Sequence, residues 1–514
     1  MFRTAELGRK VSKEEFEAVA PGLRIEILEL QQKLRAADFP VVIVFGGVDG
    51  AGKNQTVNLM NEWMDPRWIV TRAYSAPSDE ERERPEFWRY WRDLPPKGKT
   101  GLFLRSWYSA PVLEYAYGRI GENELTRRLD RIVAFETALA DEGALILKFW
   151  LHLSKDAQKQ QLKRLSKDPD QSWRVTDADW RHYEMYPQFI ASAERMITRT
   201  STGQAPWTIV EGENDRYREL AVLTSFRDAA QRHLQRRELA RQTRDQLRQL
   251  AVAAPQAEPV QRVQPSILDT LDMSAICTKE RADTEMPRLT AKLNALYRRA
   301  KELGISTVAV FEGWDAAGKG GAIRRITGAL DARDYQVLPV AAPTDEERAQ
   351  HYLWRFWRQL SRAGRITLFD RSWYGRVLVE RVEGFALEEE WRRAYAEINA
   401  FEQQLTEHGV VVVKYWLHIT PEEQLQRFHL RENVPFKRWK LTDEDWRNRD
   451  KWNAYESAVN DMIEKTSTGA APWTLIPAND KRHARLTVLD TLCRRLKTAI
   501  AEAETSRSRK KSKG

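Results

Sequence analysis

The sequence predicts an α/β protein made of two tandem domains of one kind, each a parallel sheet with helices on both faces. Three observations carry this. The apolar run Thr307-Val308-Ala309-Val310-Phe311 leads into a glycine-rich loop, Gly313-Trp314-Asp315-Ala316-Ala317-Gly318-Lys319, and then into a helix-compatible stretch. That is the strand–loop–helix context of a phosphate-binding P-loop. The same arrangement stands 266 positions earlier, where Val41-Val42-Ile43-Val44-Phe45 precedes Gly47-Val48-Asp49-Gly50-Ala51-Gly52-Lys53. Three further pairs keep that offset: Leu102–Tyr108 with Leu368–Tyr374, Lys148–His152 with Lys414–His418, and Ser201–Thr208 with Ser467–Thr474. Solenoid repeats run at 20 to 50 residues, so a period this long marks a duplicated domain.

Residues 1–39 read as a helical lead-in with apolar spacing through Ile25, Leu28, Leu30 and Leu34. Strands are expected at 41–45, 68–74, 101–106, 145–151 and 207–211, with helical stretches between them. Strands alternating with helices favour a parallel sheet covered on both faces. Residues 216–250, dense in Arg, Gln, Glu and Leu, predict a long charged helix. Residues 251–268 carry Ala, Pro, Gln and Val without helical periodicity and read as linker. A second lead-in, Leu289 to Leu303, precedes strands near 307–312, 335–341, 366–370, 410–417 and 473–477. The expected division is a first domain over 1–250, a linker over 251–275, a second domain over 276–500 and a disordered basic tail over 501–514.

A chain of 514 residues with 42% apolar content can fill two cores. Its first twenty residues are charged and lack the apolar stretch of a signal peptide, and no run is long enough to span a bilayer. Cys277 and Cys493, the only cysteines, have no metal-like spacing and read as reduced thiols of a cytoplasmic protein. The net charge is +9, of which Arg507, Arg509, Lys510, Lys511 and Lys513 supply five. Those five describe either a solubilising end or a local concentrator of polyanions, and no specific nucleic-acid site is expected.

A P-loop needs a carboxylate for magnesium, typically at the end of a neighbouring strand. Ile366-Thr367-Leu368-Phe369-Asp370 supplies one, followed at once by Arg371, with Arg376 as a second cation. A carboxylate on the metal beside a guanidinium on phosphate oxygens suits phosphoryl transfer, where charge stabilisation does most of the catalysis. The hydroxyl residue that usually follows the P-loop lysine is replaced by Gly320; Asp315 is expected to compensate at the metal, directly or through water. Arg427 and Arg431 are four apart and share a helix face, and Lys437, Arg438 and Lys440 follow Pro435. Together they read as a basic lid over phosphates. The interleaved Trp354-Arg355-Phe356-Trp357-Arg358 reads as packing aromatics, and His152 and His418 as structural. No His/Cys metal cluster and no nucleophilic triad is visible.

The G-W-D-A-A-G-K loop, the D-R-S-W-Y segment at 370–374, the K-x-W-L-H strand at 414–418 and the K-R-W-K run at 437–440 together resemble polyphosphate kinase family 2. The resemblance covers roughly 40–215 and 306–480, and the tandem arrangement is similar to members that act as polyphosphate:AMP phosphotransferases. It implies two tandem P-loop kinase-like (thymidylate-kinase-like) domains with a helical lid, and Mg2+-assisted transfer of the terminal phosphoryl of polyphosphate to a nucleotide. Carried over position by position, Asp315 and Asp370 would organise Mg2+. Lys319, Arg371, Arg376 and Arg431 would bind phosphates, beside the loop glycines Gly313 and Gly318 and the lid residue Arg427 read above, and Lys437, Arg438 and Lys440 would guide the polyanion. Homo-oligomers are implied by the same analogy.

The halves differ where chemistry is expected. The first has Leu104 for Asp370, Ala110 for Arg376, Leu165 for Arg431, and Gln171 and Ser172 for Lys437 and Arg438. The second half is therefore expected to be catalytic and the first a degenerate copy. The favoured reaction is AMP plus polyphosphate giving ADP, with ADP as acceptor left open. The rivals are an ATP-dependent nucleoside monophosphate kinase and a non-catalytic polyanion-binding protein.

Overall fold

The computed structural model describes residues 1–170, 172–253, 266–434 and 443–511. Strands β1 (Val41–Gly47), β2 (Ile69–Ala73), β3 (Thr100–Leu104), β4 (Leu145–His152) and β5 (Trp207–Glu211) form one sheet. Strands β6 (Thr307–Gly313), β7 (Tyr335–Pro339), β8 (Ile366–Asp370), β9 (Val411–His418) and β10 (Trp473–Pro477) form the other. The spatial orders are β2-β3-β1-β4-β5 and β7-β8-β6-β9-β10, the same topology twice, and every pairing is parallel. All ten strands fall where the sequence places them. The central strands read as unbroken apolar runs because both faces are covered: β9 is buried at all eight positions.

The topology fixes the candidate site. In each sheet the order reverses beside the P-loop strand, so the crevice at the strands' carboxyl ends opens there. In the second unit β6 pairs with β8 on one side, Phe311 opposite Asp370, and with β9 on the other, Gly313 opposite Leu417. The P-loop and the strand-end carboxylate are thus neighbours by register.

One network is built identically in both units. Lys414 Nζ donates to Glu402 Oε2 at 2.7 Å, to Tyr374 Oη at 2.9 Å and to Thr466 O at 2.7 Å, which uses all three of its protons. Tyr374 Oη and Trp373 Nε1 donate to Glu402 Oε1 at 2.7 and 3.1 Å. Lys148, Glu136, Tyr108, Trp107 and Thr200 repeat this in the first unit. The Trp-Tyr and Lys-x-Trp-Leu-His motifs therefore tie strands to the helix Glu388–Glu407, or to Glu122–Asp141, and make the frame. The aromatics of 354–357 pack as expected, with Trp354, Phe356 and Trp357 buried.

The domain boundaries need correction. One compact unit comprises Met1–Pro77, Arg89–Pro259 and Asp345–His351; the other comprises Ser78–Trp88, Val260–Thr344 and Tyr352–Gly514. Each thus contains a short segment from the opposite half of the sequence. Hydrogen bonds explain the membership. In the second unit Arg84 Nε donates to Leu360 O at 2.8 Å and Arg362 pairs with Glu83 at 2.6 Å. In the first, Lys97 N donates to Ala349 O at 2.8 Å and Gln350 Nε2 to Leu94 O at 3.2 Å.

The tail is the second correction: residues 501–511 are not disordered but continue the helix Lys481–Lys511. Arg299 pairs with Glu504 at 2.7 Å and Arg507 donates to Leu303 O at 3.0 Å, which anchors that end. The charged helix of the first unit runs over Asp215–Ala253, and the expected linker positions 254–265 lie outside the described residues. No helix of the described residues is long and apolar enough to cross a membrane.

Candidate active site

Three non-glycine residues with positive φ occur among the described residues: Ala316 (65°), Arg371 (64°) and Arg105 (49°). Ala316 lies in the second P-loop, Arg371 follows the strand-end carboxylate, and Arg105 is the first-half counterpart of Arg371. Such conformations cost about 1–3 kcal/mol each and persist where surrounding structure over-determines them, commonly at functional sites. Gly313, at φ 149°, is glycine by necessity, because a Cβ there would stand 2.5 Å from Leu417 O.

The loop closes on its own lysine. Lys319 opens the helix Lys319–Thr327, and its Nζ donates to Gly313 O at 2.6 Å and Trp314 O at 3.2 Å. Gly318, the residue before it, takes φ 110° with no atom within 4 Å of the Cβ it lacks. The curved backbone and the helix's positive end together form an anion cradle.

Asp315 projects from the loop between two partners. Arg371 Nη2 donates to Oδ1 at 3.0 Å and Asn448 Nδ2 to Oδ2 at 2.9 Å. Burial opposes its charge, but Lys319 and Arg371 outweigh that and hold the carboxyl below its usual range. Arg371 also faces Glu444 at 3.9 Å and keeps 43% of its side chain exposed. Asp370, at the end of β8, has no hydrogen bond or ion pair to its side chain among the described residues. A Cβ at Gly320, the position of the missing hydroxyl residue, would stand 4.0 Å from Asp370 Oδ2. The unpartnered carboxylate thus faces the spot where a P-loop hydroxyl normally meets the metal.

Two expected phosphate ligands are engaged with other groups of the protein. Arg427, expected to bind phosphate, is only 3% exposed, and its N–H groups are spent on Glu423 and on four carbonyls: Ala316, Ala317, Ala478 and Asn479. Helix geometry put it on the P-loop side, but beneath the loop, where it braces the backbone. Arg376, expected as a second catalytic cation, is 11% exposed and held by Glu380 at 3.1 Å and Glu390 at 3.6 Å, over the ring of Tyr352. Arg431 lies one turn beyond Arg427 on the helix Pro421–Glu432, half-buried. Lys437, Arg438 and Lys440 lie outside the described residues.

The sequence reading missed four participants. Glu312, next to Gly313, is buried and accepts a hydrogen bond from Ser372 Oγ at 2.8 Å. Burial, with a contribution from Asp370, pushes its carboxyl up to about 6 against Ser372, Lys319 and Arg371. A charged residue at the end of an apolar run was the available signal, since the first half has Gly46 there. Asn448 and Glu444 come from the helix Asp443–Asp450, whose composition gives no hint of its target. Trp452 stacks face to face on Trp314 of the P-loop, centroids 3.6 Å apart. Trp314 Nε1 in turn donates to His418 Nδ1 at 3.1 Å, so His418 stays neutral, and burial lowers its pKa to about 4. In the first unit Asp49 pairs with His182 at 2.7 Å, and Lys53 caps Gly47 O and Val48 O. Leu104 ends its neighbouring strand, so no strand-end carboxylate stands beside that loop.

A five-stranded parallel sheet whose P-loop meets a strand-end Asp-Arg pair defines a P-loop phosphotransferase. The chain belongs to the polyphosphate kinase 2 family, which it matches over residues 10–238 and 277–504. It is 49% identical to a polyphosphate:AMP phosphotransferase of Pseudomonas aeruginosa, covering 96% of this chain and 98% of that one. It is 47% identical to another from Pseudomonas syringae pv. tomato, covering 98% and 99%. A crystal structure of a polyphosphate kinase 2 from Pseudomonas aeruginosa PA01 superposes with a TM-score of 0.86 at 46% identity, over 97% of this chain and 99% of that one.

Proposed function

We infer that this chain transfers the terminal phosphoryl group of inorganic polyphosphate to AMP, giving ADP and a polyphosphate one unit shorter, in its second half. The observation that carries the assignment is Asp370, an unpartnered carboxylate one strand from the P-loop where the first half has Leu104. Near-full-length relatives named for this reaction support it.

The donor set fits Mg2+, which characteristically takes one or two carboxylates and completes its shell with water and substrate phosphates. Asp370 would hold it directly, with Asp315 through water because both its oxygens are engaged. When bound, the metal neutralises charge on the phosphoryl oxygens undergoing transfer. The chain's own groups do the rest. The P-loop amides and Lys319 orient the phosphates, and Arg371, half exposed and left-handed, is aimed at the same opening. The acceptor is an oxygen of the AMP phosphate, already anionic at neutral pH. The new O–P bond forms in line as the P–O bond to the shortened polyphosphate breaks, and the leaving chain keeps the electron pair. No proton need be removed, in keeping with a site built from cations, amides and carboxylates.

The test is to mix the protein with AMP, long-chain polyphosphate and Mg2+, without ATP, and to separate the nucleotides. ADP should appear, with activity falling steeply as salt rises, as for other polyanion ligands. ADP formed only when ATP is supplied would make this an ordinary nucleoside monophosphate kinase. With the reading go a cytoplasmic setting, in keeping with the buried free thiols Cys277 and Cys493, and homo-oligomeric assembly, which size-exclusion chromatography would test.

A further inference from the structure

We propose that Glu312 is a positioning residue for the transfer: through Ser372 it seats the turn that carries Asp370 and Arg371 against the P-loop strand, and so sets their aim at the P-loop. Glu312 does not touch the opening itself. It sits near the end of β6 with its side chain buried, and Ser372 Oγ donates to it at 2.8 Å. Ser372 Oγ in turn accepts the backbone N–H of Tyr374 at 3.3 Å. Arg371 N donates to Phe311 O, one residue before Glu312, at 3.0 Å. Two adjacent residues of the P-loop strand thus clasp the turn from both sides, and the residue between the clasps is the one at φ 64°. The left-handed φ does not depend on the Glu312 clasp, since Arg105 keeps 49° in the unit that has Gly46. What the clasp fixes is where the turn sits, and without it Asp370 and Arg371 are free to shift relative to the P-loop.

A purely structural role fits poorly. Glu312 has no cationic hydrogen-bond partner among the described residues and lies close enough to Asp370 to feel its charge. Burying such a group costs stability rather than adding it. The first unit shows that the sheet does not need it. Gly46 occupies the equivalent position, and a Cβ there would stand 3.1 Å from Trp150 and 3.3 Å from Trp207. The strand order is nevertheless the same. Within this chain the buried carboxyl and the strand-end aspartate occur together or not at all: Glu312 with Asp370, Gly46 with Leu104. A group that costs stability and accompanies the chemistry is expected at a functional site.

The proposal rests on the polyphosphate-to-AMP reading, and full-length Glu312→Ala, Glu312→Gln and Ser372→Ala proteins test it in the ADP-forming assay. Loss of the clasp should lower kcat on the order of 10- to 100-fold in Glu312→Ala and Ser372→Ala, as expected for misplaced catalytic groups. KM for AMP and polyphosphate should stay within about threefold. Glu312→Gln should hold kcat within about threefold of wild type, since the amide oxygen still accepts the Ser372 hydrogen bond. The double Ala variant should be no slower than Glu312→Ala alone, because the two act as one unit. Melting midpoints should stay within about 2 °C of wild type. Full kcat in Glu312→Ala overturns the proposal. So does Glu312→Gln as slow as Glu312→Ala, which would assign the effect to charge, and so does a kcat loss that tracks a lowered melting midpoint. A wild-type protein silent with AMP and polyphosphate fails the underlying reading, and this proposal with it.

Discussion

Arg427 and Arg218 brace the same backbone carbonyl from helices that are not equivalent. Arg427 Nη2, on the helix Pro421–Glu432, donates to Ala478 O at 2.7 Å. Arg218 Nη1, on the helix Asp215–Ala253, donates to the corresponding Gly212 O at 3.1 Å. The first half has Gln161 where Arg427 stands, and the second has Ala484 where Arg218 stands. Arg218 also reaches Thr56 Oγ1 at 3.1 Å, and a Cβ on Gly52 would fall 2.2 Å from its guanidinium. Each P-loop therefore rests on a buried arginine, and the two halves draw it from different sides.

Arg427→Ala should consequently act on stability. Four carbonyls lose their donor, and unsatisfied buried groups cost about 1–3 kcal/mol each. Even a net loss of about 3 kcal/mol lowers the midpoint of a unit this size by about 6–12 °C. Calorimetry reads it, and a variant that melts normally but has lost polyphosphate affinity would restore the phosphate-ligand role instead.

Asp370→Asn should abolish turnover, while Lys53→Ala should leave kcat within about threefold. Lys53 caps loop carbonyls as Lys319 does, but its loop faces Leu104 rather than a carboxylate. Steady-state ADP formation decides it, and equal losses would mean that both halves turn over substrate.

His418 predicts a pH dependence. Its folded-state pKa of about 4 lies below the unfolded value near 6.5. The neutral ring is thus the form the fold favours, since Nδ1 must accept from Trp314. Its contribution is full above about pH 6.5 and drains away as pH falls toward 4, by about 3 kcal/mol at most. Urea midpoints measured from pH 7.5 to 4.5 should decline in wild type and flatten in His418→Gln, whose amide oxygen can accept the same hydrogen bond. An identical slope in both would remove His418 as the cause.

Lys414→Met strands Glu402 in the core, where an unpaired buried charge costs about 3–5 kcal/mol. Lys414→Met with Glu402→Leu should recover most of that loss. The equivalent changes at Lys148 and Glu136 should give similar values, because the bonds from the two lysines agree in length to within 0.1 Å. Guanidinium unfolding of the four variants tests the symmetry.

Much of this was legible in the residues. Parallel strands buried on both faces announce themselves as apolar runs, so all ten were placed, and register then brought Asp370 beside the P-loop. What failed to show were relations the sequence cannot order. The spacing of Arg427 and Arg431 gives a shared helix face but not what that face meets, and the brace was read as a ligand. The basic end looked solvent-borne because Glu504 and Arg507 find their partners more than two hundred residues away. The membership of 78–88 and 345–351 likewise follows bonds between residues far apart in sequence. Glu312 was within reach, since comparison with Gly46 exposes it.

The duplicated Lys–Glu network has a consequence for how the two halves tolerate substitution. The first carries every partner of that network, yet has Leu104, Gly46 and Leu165 where the second has Asp370, Glu312 and Arg431, and its loop brace comes from a different helix. The frame and the candidate site are therefore built from separate sets of residues. A substitution confined to the candidate site should leave the frame standing, whereas a break in the Lys–Glu network should weaken whichever unit it strikes.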